Sequence, residues 1–210
     1  MDIGSSNLKH VAVAITGASG SCYGLRLVEA LLQSRCRVSL IITAAGLQVL
    51  NYELERDWPG ATEELMPVVR SHFQAGDELT LYGEKDLFAP LASGSAAPDA
   101  MVIAPCSMGS AGRIAAGMSG NLVERCADVM LKERRQLILV PRETPFNEIH
   151  LRNLLRLSRA GAQILPAMPA FYGRPQTMQD LIDFVVGKIL DSLRLENKLF
   201  PRWGDPAVTE

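Results

Sequence analysis

The chain has no apolar stretch long enough to cross a bilayer, and its start, MDIGSSNLKH, lacks the apolar core of a secretory leader. A cytoplasmic protein with no membrane partner is therefore expected. A surplus of one charge is missing too. Lys and Arg number 21 against 23 Asp and Glu, a net charge of −2, which leaves no basic field for nucleic acid or an anionic lipid surface. The four cysteines, Cys22, Cys36, Cys106 and Cys126, include no CxxC pair, and the three histidines, His10, His72 and His150, stand far apart in sequence. No metal site is expected from such a set, and reduced thiols suit a cytosolic chain. Internal repeats and low-complexity segments are absent as well. What is present is an ordinary globular composition, 48% hydrophobic and 21% charged over 210 residues, enough to build one core. The expected layout is an N-terminal tail over 1–9, one domain over 10–195 and a C-terminal tail over 196–210.

Strand and helix patterns alternate. Short apolar runs at 11–16 (VAVAIT), 37–43 (RVSLIIT), 100–104 (AMVIA), 136–140 (QLILV) and 162–165 read as buried strands. Helical spacing marks 21–34, 44–54, 109–116, 122–133 and 147–160. The last of these carries Ile149, Leu151, Leu154, Leu155 and Leu157, with Gly161 placed as its cap. Thr177, with Asp180 three residues on, opens a final helix whose apolar face holds Met178, Leu181, Ile182, Val185, Ile189 and Leu193. Residues 55–90 are broken by Pro59, Gly60, Pro67, Gly76 and Gly83 and take no clear assignment. This alternation calls for an α/β fold, a parallel sheet covered by helices on both faces. Ligands of such sheets bind at the carboxyl ends of the strands.

The strand ends carry the chemistry. After the first strand comes Gly17-Ala18-Ser19-Gly20, with Gly24 further on. Such a turn lets backbone approach a phosphate or a ring and leads into a helix start that favours an anion; it equally serves as a tight strand–helix connection. The dinucleotide spacing GxGxxG is not met, and no acidic residue lies between Arg35 and Tyr52 to read a ribose. Thr43 ends the second strand instead, which suits a mononucleotide. The third strand ends in Pro105-Cys106-Ser107-Met108-Gly109-Ser110, a second candidate cradle. Cys106 has no histidine nearby to activate it and is expected in the core. Lys132-Glu133-Arg134-Arg135 precedes the fourth strand and fits a solvated helix end. Arg142-Glu143 follows that strand, where a cation beside a carboxylate can hold a phosphate and pass it a proton, or form a plain surface pair. Tyr172 and Trp203 are open to core, interface or pocket roles.

The segments TGASG (16–20), ITAA (42–45), SGS (93–95), APCSMG (104–109), ADVMLKERR (127–135), VPRETP (140–145) and PAFYGRP (169–175) run the length of the chain. In that order they resemble the flavin prenyltransferase (UbiX) family. The resemblance implies a Rossmann-like or flavodoxin-like three-layer sandwich and a metal-independent transferase. It would join the dimethylallyl group of dimethylallyl monophosphate to N5 and C6 of reduced FMN. The product, prenylated FMN, is the cofactor of UbiD-type decarboxylases. It also implies a homododecamer with active sites at subunit contacts. Position by position, Gly17, Ala18, Ser19, Thr43, Ser107, Met108, Gly109, Ser110 and Arg142 would hold FMN. Lys132, Arg142, Tyr172 and Lys188 would hold the dimethylallyl phosphate, with Trp203 in the C-terminal tail walling its pocket. Glu143 would protonate the leaving phosphate, and Ser19 and Glu53 would form a proton relay near N5. The chain departs from the family's pattern at Lys188, where arginine is usual, and at Ser110, Gly112, Arg113 and Gly120. A flavin-dependent decarboxylase of peptidyl or pantothenoyl cysteine would need a PxMNxxMW-like motif where this chain has PRETPFNEIH. A flavin-binding module without catalysis would need none of Ser19, Glu53 and Glu143.

Overall fold

The computed structural model describes residues 9–204. The expected tail over 1–9 lies outside these residues except for Lys9, as do positions 205–210. Six strands form one parallel sheet in the order β3-β2-β1-β4-β5-β6: β1 (His10–Ile15), β2 (Arg37–Ile42), β3 (Leu79–Tyr82), β4 (Ala100–Cys106), β5 (Gln136–Pro141) and β6 (Gln163–Ile164). The central strands are apolar almost throughout because both of their faces are covered. Val13 of β1, for example, pairs with Leu40 on one side and Val102 on the other. Alternate residues then enter two separate cores. Val11, Val13 and Ile15 join the buried residues of α1 (Ser21–Gln33), α2 (Ala44–Glu53), α3 (Thr62–Phe73) and α7 (Met178–Ser192). Ala12 and Ala14 face α4 (Met108–Ala115), α5 (Leu122–Lys132) and α6 (Glu148–Arg159). The expected three-layer sandwich is what the chain forms. Among the described residues no helix is long and apolar enough to cross a membrane.

Two stretches differ from the sequence reading. The unassigned segment 55–90 supplies α3 and the edge strand β3. Pro67 sits inside α3, and only Leu65 and Val69 of that helix are buried, so the periodic signal is weak. On α6, Leu154 and Leu157 enter the core, but Ile149, Leu151 and Leu155 are exposed by 68%, 53% and 51%. The apolar positions of that helix are split between two faces.

The chain beyond α7 folds back along that helix rather than trailing away. The Asn197 side-chain amide donates to the Gly187 carbonyl at 3.3 Å and to the Asp191 carboxylate at 3.0 Å. Phe200 packs edge-on against Phe184 with ring centres 4.9 Å apart. Gly187 makes this possible, because a Cβ there would stand 2.5 Å from the Phe200 ring.

Candidate active site at the strand ends

All six strands present their carboxyl ends to one edge, and the order of winding reverses between β1 and β4, the place where such sheets bind ligands. The β1–α1 turn has little room there. A Cβ on Gly17 would lie 2.7 Å from that of Ala45, and one on Gly24 would meet the Ala104 carbonyl at 2.3 Å. Gly20 takes φ 105°, a left-handed conformation that glycine adopts freely. Thr16 ties the turn to β4: its hydroxyl donates to the Pro105 carbonyl at 2.8 Å and accepts from the Ser107 amide at 2.8 Å.

The start of α1 does not wait for a phosphate, as the glycine turn had suggested. The Glu53 carboxylate already occupies it, accepting from the Gly20 amide at 2.9 and 3.0 Å and from the Ser21 amide at 3.0 Å. A second anion at those donors would meet that charge. Burial pushes the Glu53 carboxyl up, but hydrogen bonds from the Ser19 side chain and the two amides outweigh it and hold its pKa below the ordinary value. Ser19, paired with Glu53 in the sequence reading, stands in the same turn as these donors. Thr43 caps α2, its hydroxyl accepting from the Gly46 amide at 3.0 Å.

The start of α4 is open. Ser107 caps it by accepting from the Ser110 amide at 3.2 Å, while the Met108 and Gly109 amides have no acceptor among the described residues. Free amides of a first turn are anion donors. Cys106 beside them is fully buried, and burial pushes its thiol up to about 12, so it packs and does not react. Arg142 follows β5 and crosses to the first turn, its Nε donating to the Ser19 carbonyl at 2.8 Å. Glu143 is half-buried and accepts from the Thr144 amide at 3.1 Å. Their side chains form no ion pair with each other, so the plain surface pair is not what the sequence encodes here.

The remaining candidates lie elsewhere on the chain. Lys132 ends α5 just before β5 begins, at the opposite edge of the sheet. Six residues of β5 separate it from Arg142, about 20 Å at roughly 3.3 Å per residue, which exceeds a lysine's reach. Its ammonium pairs with Glu133 beside Gly94. Tyr172 and Trp203 meet edge-on with ring centres 5.2 Å apart, and Phe184 lies 6.0 Å from Tyr172. Lys188 on α7 stands 3.8 Å from Asp191. Among the described residues no hydrogen bond, ion pair or ring contact joins Tyr172, Lys188 or Trp203 to Arg142 or Glu143. One chain thus gathers Gly17, Ala18, Ser19, Thr43, Glu53, Ser107–Ser110, Arg142 and Glu143 at the strand ends, and holds Lys132 at the far end of β5.

The sequence reading missed Glu124, which is 2% exposed and bonded to Arg113 on α4. Two charges eleven positions apart on different helices leave no periodic signal. Among the described residues no three of His, Cys, Asp and Glu stand close enough to hold a metal ion.

The family model described as flavoprotein matches residues 4–190. The chain is 54% identical over 194 residues to the flavin prenyltransferase UbiX of Halalkalibacterium halodurans, covering 92% of each. A crystal structure of AnUbiX (PadA1) with FMN and dimethylallyl pyrophosphate superposes with a TM-score of 0.84 at 38% identity, covering 94% of this chain and 98% of that one. A dodecameric FMN-dependent UbiX-like decarboxylase from Escherichia coli O157:H7 superposes at 0.79 and 37% identity, covering 92% and 98%. The likeness spans the chain and these relatives almost end to end, and the chain belongs to the flavoprotein family, among the flavin prenyltransferases.

Proposed function

We propose that this chain transfers the dimethylallyl group of dimethylallyl monophosphate to N5 and C6 of reduced FMN, without a metal ion, in the cytoplasm. The observation that carries the reading is Arg142 laid over the β1–α1 turn with Glu143 beside it and the Glu53 carboxylate on the Gly20 and Ser21 amides beneath. The site fits FMN. Gly17 keeps backbone bare where Ala45 crowds it, the α4 amides are free, and Ser110 offers a hydroxyl that is 5% exposed. Gly17, Ala18, Ser19, Thr43, Ser107–Ser110 and Arg142 would hold it, and reduced FMN would supply the two nucleophilic positions of its ring.

The chain's own residues supply the rest. Phosphate is a poor leaving group, so cations and a proton donor stand in for a metal. Arg142 holds the donor's phosphate and Glu143 gives its carboxyl proton to the departing oxygen. Ser19 would hand its hydroxyl proton to Glu53 while taking the one the ring loses, and the surrounding donors keep Glu53 ionised to receive it. Lys132, Tyr172 and Lys188 bind phosphate and Trp203 walls the apolar group, with Lys132 supplied by a neighbouring copy because the length of β5 keeps it from its own chain's Arg142. A homododecamer is the assembly that fits, and a UbiD-type decarboxylase is the protein that receives the product.

The test is anaerobic incubation with reduced FMN and dimethylallyl monophosphate in metal-free buffer, followed by mass analysis of released flavin. A flavin heavier by one five-carbon unit supports the reading. Unmodified flavin from folded, FMN-bound protein rejects it.

A further inference from the structure

We propose that Arg113, braced by the buried Glu124, is a positioning residue of the FMN cradle that makes the Ser110 hydroxyl a hydrogen-bond donor to the bound ligand. The inference rests on the reading of residues 107–110 as part of that cradle.

Glu124 lies in the first turn of α5 and is 2% exposed. Its carboxylate accepts from Arg113 Nε at 2.5 Å, from the Gly120 amide at 2.8 Å and from the Asn121 side chain at 3.1 Å. A buried carboxylate without partners is costly, and here each partner also fixes its direction. Arg113 is thereby held along the first turn of α4. Its Nη1 lies 3.4 Å from where a Cβ on Gly109 would stand, and its Nη2 donates to Ser110 Oγ at a long 3.4 Å.

Ser110 Oγ also accepts from the Ser107 hydroxyl at 3.0 Å. A hydroxyl has two acceptor lone pairs and one hydrogen. With both acceptor positions directed at Ser107 and Arg113, the Ser110 hydrogen must go to a third atom. Ser110 donates no side-chain hydrogen bond among the described residues, and it sits beside the free Met108 and Gly109 amides. A ligand oxygen at that turn is the acceptor the arrangement leaves open.

The same network takes in three of the five positions where this chain departs from its family's pattern. Ser110, Arg113 and Gly120 are bonded into one unit by Glu124. A Cβ at position 120 would stand 3.2 Å from Glu124 Oε2, so a larger side chain there would crowd the brace.

The experiment is a titration of FMN, read by quenching of flavin fluorescence, into wild type, Ser110→Ala, Arg113→Met/Glu124→Gln and the triple variant. Glu124 is neutralised along with Arg113 so that no buried carboxylate loses its partner. Ser110→Ala and the double variant should each weaken FMN binding about tenfold, the value of one hydrogen bond, and the triple variant no further. Arg113→Lys keeps a charge beside Glu124 but not the fork to Ser110, and should lose affinity to the same extent. Additive losses of about a hundredfold in the triple variant, or full affinity in either Arg113 variant, overturn the proposal. Failure of the wild-type protein to bind FMN would instead overturn the cradle reading beneath it.

Discussion

Glu143 carries the heaviest chemical demand of any single residue. It accepts one amide bond from Thr144 and pairs with no cation among the described residues. Glu143→Gln keeps the size and removes the proton. It should leave FMN affinity within about twofold and lower kcat by roughly 100-fold or more, the scale of general acid catalysis. Undiminished product formation in that variant would end the acid assignment. His10, at the start of β1, poses a different question. Burial first, then the Arg37 charge, push its pKa down to about 4, while the unfolded chain holds it near about 6.5. Folding therefore disfavours the proton, and the stabilisation is present above about pH 6.5 and lost as pH falls toward 4. Between pH 7 and pH 5 the wild-type melting temperature should fall by about 2–4 °C more than that of His10→Asn, the shift expected of ~1 kcal/mol after solvent screening. Parallel curves for the two proteins would show that His10 contributes nothing.

Among the elements, the return of the chain along α7 matters most for the site. Phe200 is 9% exposed and fills the space that Gly187 leaves bare. Phe200→Ala should cost about 3 kcal/mol by cavity formation. It should also loosen Trp203 from Tyr172, raising KM for dimethylallyl monophosphate more than it lowers kcat. An unchanged KM would separate the tail from substrate binding. The elements also mark how far the sequence could be read. β1, β2, β4 and β5 were legible because strands covered on both faces are apolar without interruption, and α7 because Thr177 and Asp180 form a true capping box. α3 was hidden by Pro67 and by its two buried residues. In the site, strand-end position alone picked out Gly17–Gly20, Ser107–Ser110 and Arg142-Glu143. Glu53, Lys132 and Lys188 entered through family resemblance, since no spacing rule joins the end of α2 to the start of α1. Of the Arg113–Glu124 brace, the resemblance marked Arg113 only as a departure, and Glu124 had no signal of either kind.

At the scale of the molecule, the exposed apolar residues and the scattered site residues point the same way. Phe88, Ile149, Met178 and Trp203 are exposed by 101%, 68%, 72% and 78%, more large apolar surface than an isolated soluble chain favours. Symmetric copies would cover it and carry Lys132 to a neighbour's Arg142. Lys132→Ala and Glu143→Gln should each be inactive alone. Mixed after dissociation and reassembled, or coexpressed, they should recover a measurable part of wild-type turnover, because some interfaces pair an intact Lys132 with an intact Glu143. No recovery in assemblies proven to be mixed would mean that each chain works alone.

The length of β5 then has a genetic consequence. In the proposed assembly its two ends would serve different catalytic centres, so a mutation in one gene copy would not stay with the chain that bears it. A subunit defective at one end would keep its other end competent, so two defects at opposite ends of the strand, each inactivating alone, would mask one another in a cell that carries both.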